Sequence, residues 1–281
     1  MDAMDTSTVD VDGYLDRIGH PCVPGPTADV LASLVAAHVR HIPFENLDPL
    51  TGIPVANLDP ESLQDKLVRR RRGGFCYEHN GLFRAVLCAL GFRVDQLAGR
   101  VVWMKGPGPL PAETHQLLAV TVPDDGSRHL VDVGFGGQTP TTPLRFTIGD
   151  EQPTDLEPFR VGVWPEADLH VLESRVAGRW QPLYLFDERP RAAVDGVVGS
   201  WFASTHPDSH FRATVSACLV VDDARWNLRN RLLSIHRADG TSTKRELASE
   251  REILDVLAHD FGIDVDTVDR LEARVREVIS D

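Results

Sequence analysis

The stretch RRRGGFCYEHNGL, residues 70–82, sets a run of arginines, a paired-glycine break and a cysteine at the start of a new amphipathic segment. Gly73-Gly74 ends whatever precedes it, and Leu82, Phe83, Val86, Leu87 and Leu90 then recur on one helical face until Gly91. The spacing predicts a helix that begins near Phe75 and carries Cys76 in its first turn. Just upstream, Asp59-Pro60-Glu61 reads as an N-cap with proline at the first helical position. Leu63, Leu67 and Val68 follow at helical spacing, and Arg69 to Arg72 suit the negative end of that helix. Further back, Val30, Leu31, Leu34, Val35 and His38 fall on one face between Pro26-Thr27 and Pro43. The first ninety or so residues, after a polar start, read as a helical unit.

Beyond Val94 the texture becomes β-branched. VDQLAGRVVW, HQLLAVTV, HLVDVGF, FRVGVW, LHVLESRV and RWQPLYLF are separated by Gly/Pro/Asp-rich turns, which predicts an antiparallel sheet or small barrel. ATVSACLVVDD is a further strand-like run before a return to helix. There Ser249-x-x-Glu252 reads as a capping box, and Val268, Leu271, Val275 and Val278 mark a last amphipathic stretch. The fold class is α+β, with helices first, strands next and a mixed end.

The 281 residues suggest roughly two domains by length alone, ample for cores that need no disulfides. Twenty-nine Lys+Arg against 42 Asp+Glu leave a net charge of −13, which argues against nucleic acid as a partner. No apolar run approaches a membrane span, and the opening MDAMDTSTVDVDG is acidic where a signal peptide would be basic, so a cytoplasmic location is expected and no membrane partner. Cys22, Cys76, Cys88 and Cys218 form no C-x-x-C pair, so neither a disulfide framework nor a zinc ribbon is indicated.

Cys76 is the candidate nucleophile, because a helix N-terminus favours a thiolate; Cys22, Cys88 and Cys218 read as small buried hydrophobes. A thiol nucleophile needs a base, and His115 lies 39 residues on, at the mouth of a predicted strand. A lone histidine is more often structural, and this chain has eleven. Asp132 follows 17 residues later in the apolar run LVDV, where a carboxylate must be paired; it reads either as a turn cap before Gly134 or as the group that orients an imidazole. Cys76-x-x-His79 lacks a second ligand pair, so metal is not expected. His206 and His210 sit in the turn-like STHPDSHF, and Gly134-x-Gly136-Gly137 permits close backbone approach to a ligand without matching a nucleotide motif.

With HIPFENLDPL (41–50), RVVW (100–103), THQLLAV (114–120), LVDVGFGGQTPTTPL (130–144), SWFASTHPDSHF (200–211) and DDARWNL (222–228), these motifs give a chain that resembles the arylamine N-acetyltransferases, most closely the actinobacterial members, over nearly its full length. The resemblance implies a helical bundle (1–93), a β-barrel (94–200) and an α/β lid (201–281), the first two forming a core like that of papain-like and transglutaminase-like thiol enzymes. It also implies Cys76, His115 and Asp132 as a catalytic triad, acetyl-coenzyme A as cosubstrate, and an arylamine or arylhydrazine as acceptor. By position it maps acceptor contacts to Phe44, Phe135, Phe211 and Val101, and coenzyme A contacts to Trp103, Thr114, Phe135, Gly136, Gly137 and His210. Glu45 and Arg72 are expected to form a buried ion pair before the cysteine, the bland alternative being a solvated pair of little worth. The loop MKGPGPLPAE (104–113) varies in the family. A thiol hydrolase or amidase with the same triad, or a binding protein of the same fold, are the rival readings.

Overall fold

The computed structural model describes residues 9–23, 25–106 and 108–280. Residues 1–8 of the acidic start lie outside them, as does Pro107 of the Pro/Gly-rich loop. No helix among the described residues is long and apolar enough to cross a membrane.

The helical layer opens with α1 (Val11–Arg17), a helix where only a polar start is expected from the sequence. Its seven residues are too few for a helical period to stand out. Asp10 nonetheless caps it by accepting from Gly13 N–H, and Tyr14, Leu15 and Ile18 are buried. Helix α2 (Ala28–His41) is capped by Thr27 and buries the five residues its period picked out. A two-residue strand β1 (Phe44–Glu45) and a single turn α3 (Leu47–Leu50) follow. Helix α4 (Pro60–Gln64) has Asp59 as its N-cap and Pro60 in its first turn; it widens into a π-helical turn over Asp65–Arg69. Helix α5 (Cys76–Ala89) begins at the cysteine and buries Leu82, Phe83, Val86 and Leu87, each worth ~1.5–3 kcal/mol by area.

Seven antiparallel strands make the second layer: β2 (Arg93–Val101), β3 (His115–Thr121), β4 (Arg128–Val131), β5 (Leu144–Arg145), β6 (Phe159–Trp164), β7 (Leu169–Val176) and β8 (Arg179–Phe186). Their order is β5-β4-β3-β2-β8-β7-β6, and bridges Ile148↔Val161 and Gln152↔Phe159 bring the chain after β5 back to β6, nearly closing a barrel. The period of two explains why β3 is buried on both sides. Leu117 and Ala119 face the barrel core, whereas Leu118 and Val120 join the core shared with α2 and α5. His115, in phase with Leu117, therefore faces the barrel interior.

Helix α6 (Ala193–Thr205) runs through residue 200, where a boundary between barrel and lid was expected, and is followed by the short α7 (His210–Ala213). The end of the chain is more β-rich than the sequence predicted. Strands β9 (Ser216–Val221), β10 (Ala224–Arg229), β11 (Leu232–Arg237) and β12 (Ser242–Glu246) form a meander, completed by β1 at the β9 edge through Phe44↔Cys218. The helical first segment thus lends a strand to the last sheet. Helices α8 (Glu250–His259) and α9 (Leu271–Ser280) cover that sheet through Ile253, Leu257, Leu271 and Val275. Ser249 accepts from Glu252 N–H as a capping box requires, but the Glu252 carboxylate reaches Ala248 N–H.

Candidate active site

Two close approaches of backbone decide where Cys76 sits. A Cβ on Gly73 would lie 1.9 Å from the Pro43 carbonyl oxygen, so only glycine lets the loop before α5 press against the segment leading into β1. A Cβ on Gly134 would lie 2.8 Å from Cys76 Cα, so the turn after β4 can be packed onto the first turn of α5. The two glycines bring the helix N-terminus to the open end of the barrel.

The loop is pinned by buried charge. Arg72 reaches Glu45 at 2.7 Å and Asp48 at 2.8 Å, with the Arg72 and Glu45 side chains 2% and 0% exposed, so the expected ion pair is buried and has an additional partner. Glu45 also accepts from Leu47 N–H. Lys66 joins Asp48 (2.7 Å) to Glu78 (2.6 Å), and Glu78 accepts from Phe75 N–H, fixing the start of α5. Removing one member of such a buried set leaves an uncompensated charge, which typically costs about 3–5 kcal/mol.

At the barrel mouth His115 Nε2 and Asp132 Oδ2 are 2.7 Å apart, both buried. Asp132 takes the ring's Nε2, leaving Nδ1 for Cys76. The Cys76 thiol is itself 3.8 Å from the Thr114 carbonyl. Burial opposes a charged imidazole, but the Asp132 charge and hydrogen bond, aided by Cys76, outweigh it and push His115 up to about 10. Burial likewise opposes ionisation of Asp132. It is outweighed by His115, Gly134 N–H and Asn80, which hold the carboxyl below its ordinary range. Asp132 Oδ1 accepts from Gly134 N–H (2.9 Å) and Asn80 Nδ2–H (3.1 Å), so the turn-cap and imidazole-orienting roles coexist.

Asn80, one helical turn beyond Cys76, ties α5 to β3 and to the turn after β4. It donates to the Gln116 carbonyl and to Asp132, and accepts from Val133 N–H. In the sequence Asn80 stands out only as a polar neighbour of Cys76. Tyr184 was missed altogether: its ring lies 4.7 Å from His115, and its buried hydroxyl faces Asp132 without closing a hydrogen bond. The signal for it was a hydroxyl on the inward phase of β8.

The aromatics divide into two groups. Phe44 and Phe211 (centroids 6.0 Å apart) pack with Phe75 and Cys76, and Phe135 stands edge-on to His115 at 5.3 Å. Val101 pairs with Tyr184 in the sheet, and Trp103 packs with Phe135 against the barrel core. Gly136 is in the left-handed region (φ 86°), where a Cβ would come within 3.3 Å of the Phe44 ring, the Gly137 carbonyl accepts from Asn227, and the His210 ring is tilted against Phe211 at 4.2 Å. A cavity of about 460 Å³ opens alongside, lined by Tyr77, Glu113, Thr114 and His115 on one side and by Gly199 and Phe202 of α6 on the other; none of Phe44, Phe135 and Phe211 lines it.

The other cysteines differ from one another. Cys218 is buried, and burial pushes its thiol up to about 12; Cys22 is exposed, contrary to the buried role expected of it, because it lies in the loop between α1 and α2. His79 is not aimed at a metal but hydrogen-bonded within the helical layer, and among the described residues no group of three or more His, Cys, Asp or Glu is arranged to hold one.

Comparison with known proteins gives a consistent answer. Residues 27–270 match a family model described as N-acetyltransferase. The chain is 52% identical over 274 residues to an arylamine N-acetyltransferase of Mycolicibacterium smegmatis, covering 96% of this chain and 98% of that one. An arylamine N-acetyltransferase of Escherichia coli is 37% identical over 265 residues, 92% of each chain. Among solved structures, that of Mycobacterium marinum arylamine N-acetyltransferase in complex with CoA matches with TM-score 0.92 and 53% identity, covering 96% of this chain and 99% of that one.

Proposed function

The chain belongs to the arylamine N-acetyltransferase family, and from that premise we propose that it moves the acetyl group of acetyl-coenzyme A to the nitrogen of an arylamine or arylhydrazine by way of acetyl-Cys76. The observation that carries this reading is His115 held between Asp132 and Cys76 at the N-terminus of α5.

In the first half-reaction the Cys76 thiolate attacks the thioester carbonyl, the carbon–sulfur bond to coenzyme A breaks, and the departing thiolate takes the proton of the His115 imidazolium. His115 is then neutral. In the second, the acceptor nitrogen attacks acetyl-Cys76, an amide bond forms, and the nitrogen's proton passes to His115 as the Cys76 thiolate leaves. The thiolate and imidazolium are regenerated. Thioester exchange is close to thermoneutral, and amide formation drives the whole. Arylamines suit the second step because they arrive unprotonated at neutral pH.

Phe44, Phe211 and Phe135 around the sulfur and imidazole support an aromatic acceptor, and Trp103, Thr114, Phe135, Gly136, Gly137 and His210 are our candidates for coenzyme A contacts. Free Cys22, Cys88 and Cys218 are in keeping with a reducing, cytoplasmic setting. The net charge of −13 gives no drive toward nucleic acid. The test is initial-rate kinetics with both substrates varied. A ping-pong enzyme gives parallel double-reciprocal lines; lines that intersect mean direct transfer in a ternary complex and overturn the covalent route.

A further inference from the structure

The helical layer holds two buried histidines that the transfer chemistry does not use, and they form one continuous chain of hydrogen bonds. Tyr14 Oη of α1 is 2.8 Å from His38 Nδ1 of α2, His38 Nε2 is 2.8 Å from His79 Nδ1 of α5, and His79 Nε2 is 3.1 Å from the Pro43 carbonyl. Tyr14, His38 and His79 are 0%, 0% and 1% exposed. The Gly74 carbonyl also faces the His79 ring.

A carbonyl can only accept, so His79 Nε2 carries its proton. Burial holds both imidazoles neutral, His38 well below its ordinary range and His79 at about 4, with the nearby charges Arg17 and Lys66 acting in the same direction and Glu45 against it. Neutral His79 must then accept at Nδ1 from His38 Nε2–H, and His38 must accept at Nδ1 from the Tyr14 hydroxyl. One assignment satisfies every atom, and its last bond ends on the residue before Phe44.

We propose that His79 is a positioning residue for the acceptor: its Nε2–H, locked in place by His38 and Tyr14, anchors the Pro43 carbonyl and so sets the Phe44 ring beside Cys76. This rests on the reading of Phe44 as a wall of the arylamine pocket. Cys76 has independent supports in the Glu78 bond to Phe75 N–H and the packing of Gly134, so loosening the relay disturbs the acceptor before the nucleophile. The His79 ring also lies nearly parallel to that of Phe44, 9° between planes with centroids 6.4 Å apart.

The test has a spectroscopic and a kinetic arm. Long-range proton–nitrogen correlation of ¹⁵N-histidine protein at pH 7 is expected to show both rings neutral with the proton on Nε2; a charged ring, or a proton on Nδ1 of either, overturns the relay. His79→Phe keeps a ring and removes both bonds. It is expected to raise KM for the arylamine about fivefold or more, the value of a hydrogen bond, while the single-turnover rate of Cys76 acetylation stays within about twofold. Tyr14→Phe, the milder variant should His79→Phe not fold, is expected to shift KM in the same direction by less. Equal slowing of both half-reactions, or an unchanged KM in these variants while Phe44→Ala raises it, overturns the proposal alone. An unchanged KM in Phe44→Ala overturns the pocket reading and the proposal with it, whatever the tautomers.

Discussion

His115 and His79 are buried alike, 3% and 1% exposed, yet at neutral pH His115 is charged and His79 is neutral. Burial alone would drive both to the neutral form. The difference lies in the partners: His115 has the Asp132 carboxylate at 2.7 Å, whereas His79 has a neutral histidine and a peptide carbonyl. A carbonyl accepts a hydrogen bond without supplying the countercharge that would compensate a buried cation. The barrel mouth therefore keeps an imidazolium next to sulfur, and the helical layer a neutral ring whose tautomer transmits position and not charge.

Removing the countercharge breaks the comparison most sharply. Asp132→Asn is expected to leave the fold, since Asn keeps the shape and can still accept from Gly134 N–H and Asn80, but to deprive His115 of its charge and fix the wrong tautomer. By analogy with serine triads the turnover should drop by ~10³–10⁴-fold. Steady-state rates alongside circular dichroism check this; near-wild-type turnover would make Asp132 structural only.

Stability against pH sharpens the comparison on a smaller scale. Each imidazole titrates near ~6.5 in the unfolded chain. His115, raised to about 10, contributes stability that is fully present below ~6.5 and lost as pH climbs through 10; His79, lowered to about 4, contributes stability that is present above ~6.5 and lost as pH falls through 4. The two limbs thus lie on opposite sides, each with a slope of up to about 1.4 kcal/mol per pH unit per proton. Tm measured from pH 4 to 10 should show His79→Phe flattening the acid limb and Asp132→Asn the alkaline limb. An acid limb unchanged in His79→Phe would mean that the ring is not held neutral.

Much of the frame was legible because its signals are local. The glycine pair at 73–74, the cap at Asp59-Pro60 and the β-branched runs between turns in β2, β3 and β6 to β8 each fix an element from neighbouring residues. α1 is too short to show a period, β1 exists only through distant partners, β9 and Gly74, and β12 is exposed along its whole length, with no apolar phase to read. The site follows the same rule. Cys76, His115 and Asp132 stood out because each is chemically odd in its own segment. Asn80, Tyr184 and the His38–His79 relay owe their roles to contacts across 52, 69 and 41 residues of chain, which no local pattern announces.

The claim on which the rest depends is that acetyl groups pass through one particular sulfur. Protein mixed with acetyl-coenzyme A and no acceptor, then read by intact mass and peptide mapping, should gain one acetyl group on the peptide carrying Cys76, lose it on addition of an arylamine, and gain none in Cys76→Ala. No gain in mass, an acetyl group on exposed Cys22 instead, or one that the arylamine does not remove would contradict the account.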